Sequence, residues 1–308
     1  MNTKYTFLLP AFKGRFLDEM LRSIQGQTYR DFKVIISDDC SPEDLRSICE
    51  PYLADPRFTY RRNAENMGSK SLVSHWNLLV DMCDTEFLIL ASDDDVYEPQ
   101  FLEEIDKLTV KYPKVDLFRG RAKIINNKSL ITHKECKSNE YMESIQFIHR
   151  FYANDFIACV SNYCYRTNSL KFYGRFVDFP LAWFSDDSTN FMMSKKGCSI
   201  TQKTTFCFRN YINQISSQWG NQKDSIEKVK ATLAFYDWMK SFMQQYEESD
   251  TKDKVNGEWI NKVHSNIINY IYHCPIFSFF LFLMRCPQDI WINKPRMVVH
   301  YLKNCTKK

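Results

Sequence analysis

The chain has 308 residues, 44% of them apolar and 25% charged, enough for one large domain, or a domain with an appendage, around a sizeable core. A net charge of only +4 gives no footing for nucleic-acid binding. Eleven scattered cysteines without one C-x-x-C pair argue against zinc and redox motifs, and for buried reduced thiols in a cytosolic protein.

Residues 5–9 read as a strand closed by Pro10, with no basic leader or cleavage site before it. Phe16, Leu17, Met20, Leu21 and Ile24 fall on one helical face. Residues 33–37 are a second strand, apolar throughout as a parallel, doubly covered strand should be. It ends in Asp38-Asp39-Cys40-Ser41-Pro42. A short helix near 45–49 and a strand at 58–61 follow. Leu72, Val73, Trp76, Leu79 and Val80 mark another helix. The strand Phe87–Leu90 then runs into Asp93-Asp94-Asp95. This alternation predicts an open parallel sheet with right-handed crossovers. No G-x-G-x-x-G follows the first strand and there is no Walker A loop.

Three consecutive carboxylates raise one another's pKa. Oxygen ligands at a strand end suit a hard divalent cation, at the place where open α/β sheets bind ligands. Metal and ligand together suggest a phosphorylated substrate, a nucleotide. The plain alternative is a helix N-terminus, where acids complement the dipole. Asp38 alone is equally well read as a turn residue before Pro42.

Past residue 222 the pattern is helical. Ile226, Val229, Leu233, Phe235 and Tyr236 share a helix, with Trp238, Met239 and Phe242 continuing it. Residues 247–256 are polar and read as a loop, and 260–272 as a helix. An aromatic-rich run from Ile276 to Met284 is too short to span a bilayer. From Arg285 onward there are six Lys or Arg (Arg285, Lys294, Arg296, Lys303, Lys307, Lys308) against one acid, Asp289. Apolar aromatics beside cations suit an interfacial membrane helix. A helix packed on the catalytic domain, or a homodimer interface, fits as well.

The segments Phe7 to Phe12, Phe16-Leu17 and Ser23 to Ser41 resemble the N-terminal signature of glycosyltransferase family 2. Asn66-Met67-Gly68 resembles that family's next motif. Asp93-Asp94-Asp95 with Pro99, Phe101, Leu102 and Glu103 resembles its metal-binding D-x-D segment. The resemblance covers about residues 4–215. It implies a GT-A fold: an α/β, Rossmann-like, mostly parallel sheet with flanking helices. The expected layout is a catalytic domain at 1–220 and a helical C-terminal extension at 221–308. The nucleotide-sugar half would end near 98 and the acceptor half would follow.

The same resemblance implies roles. Pro10, Ala11 and Phe12 would line the nucleoside pocket, and Asp39, helped by Asp38, would contact the base or ribose. Asn66 and Gly68 would also border the donor. Asp93 and Asp94 would contact the donor, and Asp95 with Asp93 would hold Mn²⁺ or Mg²⁺ on the diphosphate. Inversion needs a base on the acceptor hydroxyl. Asp187, supported by Asp186, occupies the family's late acidic position, although the two acids also read as an ordinary first helical turn after a Ser185 cap. Trp76 stands where the family often has a basic residue, so no phosphate contact is assigned there. Residues 214–219 lack the Arg of the Q-x-x-R-W motif, which argues against a polysaccharide synthase. Arg209, or the 211–219 loop, would close over the diphosphate, and a solvated loop fits at least as well.

The resulting expectation is a metal-dependent inverting glycosyltransferase of bacterial type. It would be cytoplasmic and peripheral at the inner face of the plasma membrane. It would move one sugar from a nucleoside diphosphate-sugar, a UDP-sugar, to a glycan or lipid-linked glycan in capsule, O-antigen or other surface polysaccharide assembly. The rivals are a non-catalytic nucleotide-sugar or glycan-binding module, and a sugar-phosphate nucleotidyltransferase.

Overall fold

The computed structural model describes residues 3–157, 159–211, 221–288, 290 and 294–305. The chain divides into two compact units. The first comprises residues up to 178 together with 185–212, and the second 179–184 with 213–308.

The first unit opens with β1 (Tyr5–Ala11), α1 (Leu17–Gln25), β2 (Phe32–Asp38), α2 (Leu45–Cys49), β3 (Phe58–Arg62), α3 (Leu72–Met82) and β4 (Phe87–Leu90). It continues with β5 (Val96–Tyr97), α4 (Phe101–Lys111), β6 (Leu117–Ile125), β7 (Ile131–Lys134), β8 (Tyr141–Met142) and α5 (Ser144–Tyr152). It closes with β9 (Tyr163–Arg166), α6 (Thr167–Phe172), α7 (Ser185–Met193) and β10 (Cys198–Arg209). One sheet takes all of these strands in the order β3-β2-β1-β4-β9-β6-β10-β5, with β7 on β6 and β8 on β10. The strands β3, β2, β1 and β4 are mutually parallel, as the alternation requires. Beyond β4 the sheet is mixed: β9 is antiparallel to both β4 and β6, and β10 runs parallel to β6.

Local sequence accounts for these elements. Leu17, Met20, Leu21 and Ile24 are all buried on one face of α1, the spacing of an amphipathic helix. Ser71 caps α3 by accepting from the Ser74 N–H at 3.0 Å. All four residues of β4 are buried, so it is covered on both faces. The core between α1, α4 and the sheet is aromatic. Phe7 meets Tyr97 edge-on at 5.1 Å, and Tyr97 meets Phe101 at 4.8 Å. The Phe101 ring lies against β6 where a Cβ on Gly120 would come within 2.6 Å of it. Only glycine permits that approach.

The second unit contains α8 (Gln222–Met243), α9 (Asp250–Ile271), α10 (Ile276–Arg285) and α11 (Lys294–Cys305). The loop expected at 247–256 is shorter than its polarity suggests. Ser249 accepts from the Lys252 N–H at 3.2 Å and starts α9, with Asp250 and Asp253 in the first turn. Polar residues there are the solvated start of a helix. Residues 179–184 pack within this unit: Phe184 stacks on Phe235 at 4.3 Å, and the Trp183 indole N–H donates to Asn266 at 3.1 Å.

One buried ion pair fastens the first unit. Arg119 on β6 is fully buried and grips Glu135 in a two-pronged pair. Glu135 also accepts from the N–H groups of Ala122 and Ile157. Removing one member leaves the other charge buried and alone. Glu135→Ala should therefore cost about 3–5 kcal/mol in urea unfolding, and Arg119→Met with Glu135→Leu should recover most of it. A loss below about 1 kcal/mol in the single variant would show that the pair supports nothing.

Candidate active site

The register of the parallel strands brings three strand ends together. Ala11 lies opposite Asp38, and Leu8 opposite Leu90. The Asp39 N–H donates to the Ala11 carbonyl, and the Ala91 N–H to that of Leu8. The 10–12 turn, the 38–39 pair and the Asp triplet thus open side by side at the carboxyl edge of the sheet, where α/β folds bind ligands.

Each member of the triplet has a different environment. One oxygen of Asp93 accepts from the backbone N–H groups of Phe12 at 2.9 Å and Lys13 at 2.7 Å. Burial, and next the charge of Asp94, push its carboxyl up to about 6. Asp95 is 1% exposed. Its Oδ1 accepts from the Arg209 N–H at 2.9 Å, and its Oδ2 from the Ser92 hydroxyl at 2.6 Å and the Cys159 thiol at 3.5 Å. Burial, then Asp94, push it up to about 7. Asp94 is half-buried, and its carboxylate meets the Tyr211 hydroxyl. Both oxygens of Asp95, expected to hold a cation together with Asp93, are engaged inside the protein, and Asp93 and Asp94 are the less buried pair.

Arg209 organises this turn from within. It is fully buried. Its Nε donates to the Asp94 carbonyl at 2.7 Å, Nη1 to the Asn126 carbonyl and the Ser129 hydroxyl, and Nη2 to Glu19 at 2.7 Å. Its expected role over a diphosphate is corrected accordingly: it is a structural cation beneath the carboxylates. The loop named with it lies, apart from Tyr211, outside the described residues.

At the neighbouring strand end, Asp38 is wholly buried. It accepts from the Ser41 N–H at 2.8 Å, the Tyr60 hydroxyl at 2.6 Å and the Arg62 guanidinium. It shapes the turn, which is the plainer of its two readings. Asp39 accepts from Asn63 Nδ2 and from the N–H groups of Met67 and Gly68 at 2.8, 2.9 and 2.7 Å. A Cβ on Gly68 would sit 3.0 Å from its Oδ2. Asp39 thus anchors the 66–68 turn, where Asn66 Oδ1 accepts from the Ser69 N–H. Behind it His75 reaches Ser37 at 2.9 Å, and burial holds the imidazole below its usual pKa. Ala11 is fully buried, so of the three residues expected to line a nucleoside pocket only Pro10 and Phe12 present surface.

Asp186 and Asp187 stand in the first turn of α7. Leu181, Ala182 and Phe184 just before them all have positive φ, at 57°, 55° and 68°. Left-handed backbone at three non-glycine residues costs energy and marks a shaped entry to the helix. Burial raises the Asp186 carboxyl. The Cys159 thiol donates to Asp95, and the charges of Asp95 and Asp186, after burial, push it up. Ser92, Cys159, Asn63 and His75 have no motif to announce them. Cys159 is legible in the sequence only as one more buried thiol.

Among the described residues no group of three His, Cys, Asp or Glu is arranged to hold a metal. A hard cation that takes its other ligands from phosphate oxygens and water needs only one or two carboxylates, and Asp93 and Asp94 fit that demand.

Asp95 binds its proton more tightly in the folded protein than in the unfolded chain. The stability this gives is complete below about pH 4 and is lost as pH rises through about 7. Asp95→Asn, which removes the charge, should therefore gain stability relative to wild type as pH rises across that window. A difference between the two proteins that does not change with pH overturns this account of the carboxyl.

Three comparisons bear on this site. The family model described as glycosyl transferase family 2 matches residues 6–174. Among curated proteins, glycosyltransferase GlyG of Streptococcus pneumoniae is 22% identical over 106 residues, 34% of this chain and 35% of that protein. A GalNAc(5)-diNAcBac-PP-undecaprenol beta-1,3-glucosyltransferase of Campylobacter jejuni is 29% identical over 94 residues, 30% of each. The chain spans about a third of the length of these curated relatives. Among solved structures, S. aureus TarS 1-349 in complex with UDP-GlcNAc superposes with a TM-score of 0.68 at 16% identity, covering 93% of this chain and 82% of that one. The mannosyltransferase PcManGT of Pyrobaculum calidifontis, with GDP-Man and Mn²⁺, gives 0.56 at 12% identity, covering 98% and 80%. These likenesses show a GT-A fold. With the family model matching more than half of its length, the chain belongs to glycosyltransferase family 2.

Proposed function

We propose that this protein is an inverting, metal-dependent glycosyltransferase that uses a nucleoside diphosphate-sugar, a UDP-sugar first among them. The observation that carries the reading is the gathering of the 10–12 turn, the Asp38-Asp39 pair and the Asp triplet at the carboxyl edge of the parallel sheet of a family 2 chain. Asp187 takes the proton of an acceptor hydroxyl. That oxygen bonds to the sugar's anomeric carbon as the carbon–oxygen bond to the diphosphate breaks, and the nucleoside diphosphate leaves with the electron pair. Asp186 supports the base. Asp93 and Asp94 would hold a divalent cation on the diphosphate, and that cation would offset the charge developing on the leaving group. Asp95 holds the turn in shape. The UDP-GlcNAc complex of TarS supports a UDP-sugar donor, the Mn²⁺ complex of PcManGT supports a cation, and the undecaprenol-linked name of the Campylobacter relative supports a lipid-linked glycan acceptor in surface polysaccharide assembly.

Work on such an acceptor would call for a peripheral position at the inner face of the plasma membrane. Among the described residues no helix is long and apolar enough to cross a bilayer. Yet α10 exposes Ile276, Phe277 (78%) and Met284 (73%), and α11 exposes Val299 and Leu302. Residues 259–308 carry seven Lys or Arg against the single acid Asp289, in a chain whose whole net charge is +4. Exposed apolar side chains within a basic segment suit an anionic lipid surface. The protein should sediment with phosphatidylglycerol vesicles and not with phosphatidylcholine vesicles, and Phe277→Glu with Met284→Glu should abolish this. Equal sedimentation with both vesicles, or a dimer lost in the same variant without vesicle binding, overturns the membrane contact.

The catalytic reading is tested by nucleotide release and transfer from UDP-, GDP- and dTDP-sugars, with Mn²⁺ and with EDTA. Asp187→Asn should lower transfer at least about 100-fold while calorimetric donor affinity stays within about twofold. Asp94→Ala should abolish the Mn²⁺ dependence of donor binding. Unchanged transfer in Asp187→Asn overturns the base. Absence of donor binding by wild type overturns the transferase in favour of a glycan-binding module.

A further inference from the structure

We infer that Arg15 is the side chain that grips the distal phosphate of the donor diphosphate, an inference that rests on the nucleoside diphosphate reading above. The residue sits on the loop between β1 and α1, just after Phe12 and Lys13, whose N–H groups are held by Asp93. The loop is thereby fastened to the carboxylate turn.

The guanidinium is held in place by aromatic rings. Its carbon lies 4.9 Å from the centroid of Phe16 and 5.5 Å from that of Tyr211. These two rings meet edge-to-face at 5.1 Å, and the Tyr211 hydroxyl bonds to Asp94. Arg15 thus packs on a tyrosine that reaches the carboxylate turn. Stacking uses the face of a guanidinium and leaves the N–H groups in its plane to fork onto a phosphate.

A second arginine makes the contrast. Arg209 lies 4.2 Å from the same Phe16 ring, but it is fully buried and bonded to Glu19, Asn126, Ser129 and the Asp94 carbonyl. Arg15 is exposed, and among the described residues it makes no ion pair. One guanidinium balances the acidic turn from below. The other holds its charge, pre-oriented and unpaired, on the side open to solvent. An exposed arginine ordinarily loses rotamer freedom when it binds an anion; here the rings have already restricted it.

The test separates the distal phosphate from the rest of the nucleotide. Calorimetric affinities of UDP and UMP, with GDP and GMP and with dTDP and dTMP as parallel pairs, are measured in excess Mn²⁺ for wild type, Arg15→Gln and Arg15→Lys. Arg15→Gln should weaken the preferred diphosphate about 10-fold or more, as loss of a charged hydrogen bond does, while the monophosphate changes less than about twofold. Arg15→Lys should recover part of the loss. Equal losses for diphosphate and monophosphate, or no loss, overturn the assignment while the donor reading stands. A wild type that binds none of the six nucleotides overturns the donor reading and this assignment with it.

Discussion

Three carboxylates in successive positions repel one another, and this repulsion at the end of β4 is the constraint around which the first unit is arranged. A strand buried on both faces delivers the charges to the sheet edge, away from bulk water, where burial raises the cost of each. The turn persists because each acid has its own donors. Asp93 takes two N–H groups of the β1 loop, and Asp95 takes the Arg209 N–H with the Ser92 hydroxyl and the Cys159 thiol. These bonds join β4 to β1, to β10 and to the segment before β9. Pieces distant in sequence thus share one hydrogen-bonded floor.

Arg209 is the counterweight. A buried guanidinium without partners would cost more than the repulsion it relieves. Its donors reach the carbonyls of Asp94 and Asn126, the Ser129 hydroxyl and the Glu19 carboxylate. The cation is therefore bonded on several sides, and it ties α1 and the β6–β7 turn to the Asp turn. Arg119 and Glu135 follow the same logic on β6, where the pair also receives the Ile157 N–H two residues before Cys159. Both ion networks converge on the neighbourhood of Asp95. Its carboxyl is the best-enclosed acid of the three, and its neighbour Asp94 is half-buried.

The second acidic element follows a stretch of unusual backbone shape. Residues 181, 182 and 184 lie in the left-handed region, a conformation that persists only where surrounding structure over-determines it. Side chains of the same stretch are fixed by stacking of Phe184 on Phe235 and by the Trp183–Asn266 bond. The start of α7 is fixed from inside its own unit, where the Val177 N–H donates to Thr189 Oγ1 and the Tyr165 hydroxyl to Asn190. A carboxylate at such an anchored helix start has little freedom to wander, which suits a group that must meet one hydroxyl at one angle.

Much of this was legible in the residues. Apolar runs of strand length, amphipathic helices between them and acids at the strand ends are local properties, and they sufficed for the parallel half of the sheet and for the clustering of Asp39, Asp93 and the rest at one edge. The start of α9 at Ser249 was obscured because a solvated helical turn and a loop share a polar composition. The roles inside the Asp triplet were not legible at all. Sequence makes the three residues chemically equivalent, and it was the resemblance to the family that assigned the cation to Asp95 with Asp93. What separates them is the direction from which donors arrive. Those donors come from Phe12, Cys159 and Arg209, residues that only the folded sheet brings next to the turn. Sequence determined that a strand would end in carboxylates. Tertiary structure decided which of them is wholly buried and which two are partly exposed, because burial and hydrogen bonding belong to the assembled neighbourhood and not to the chain.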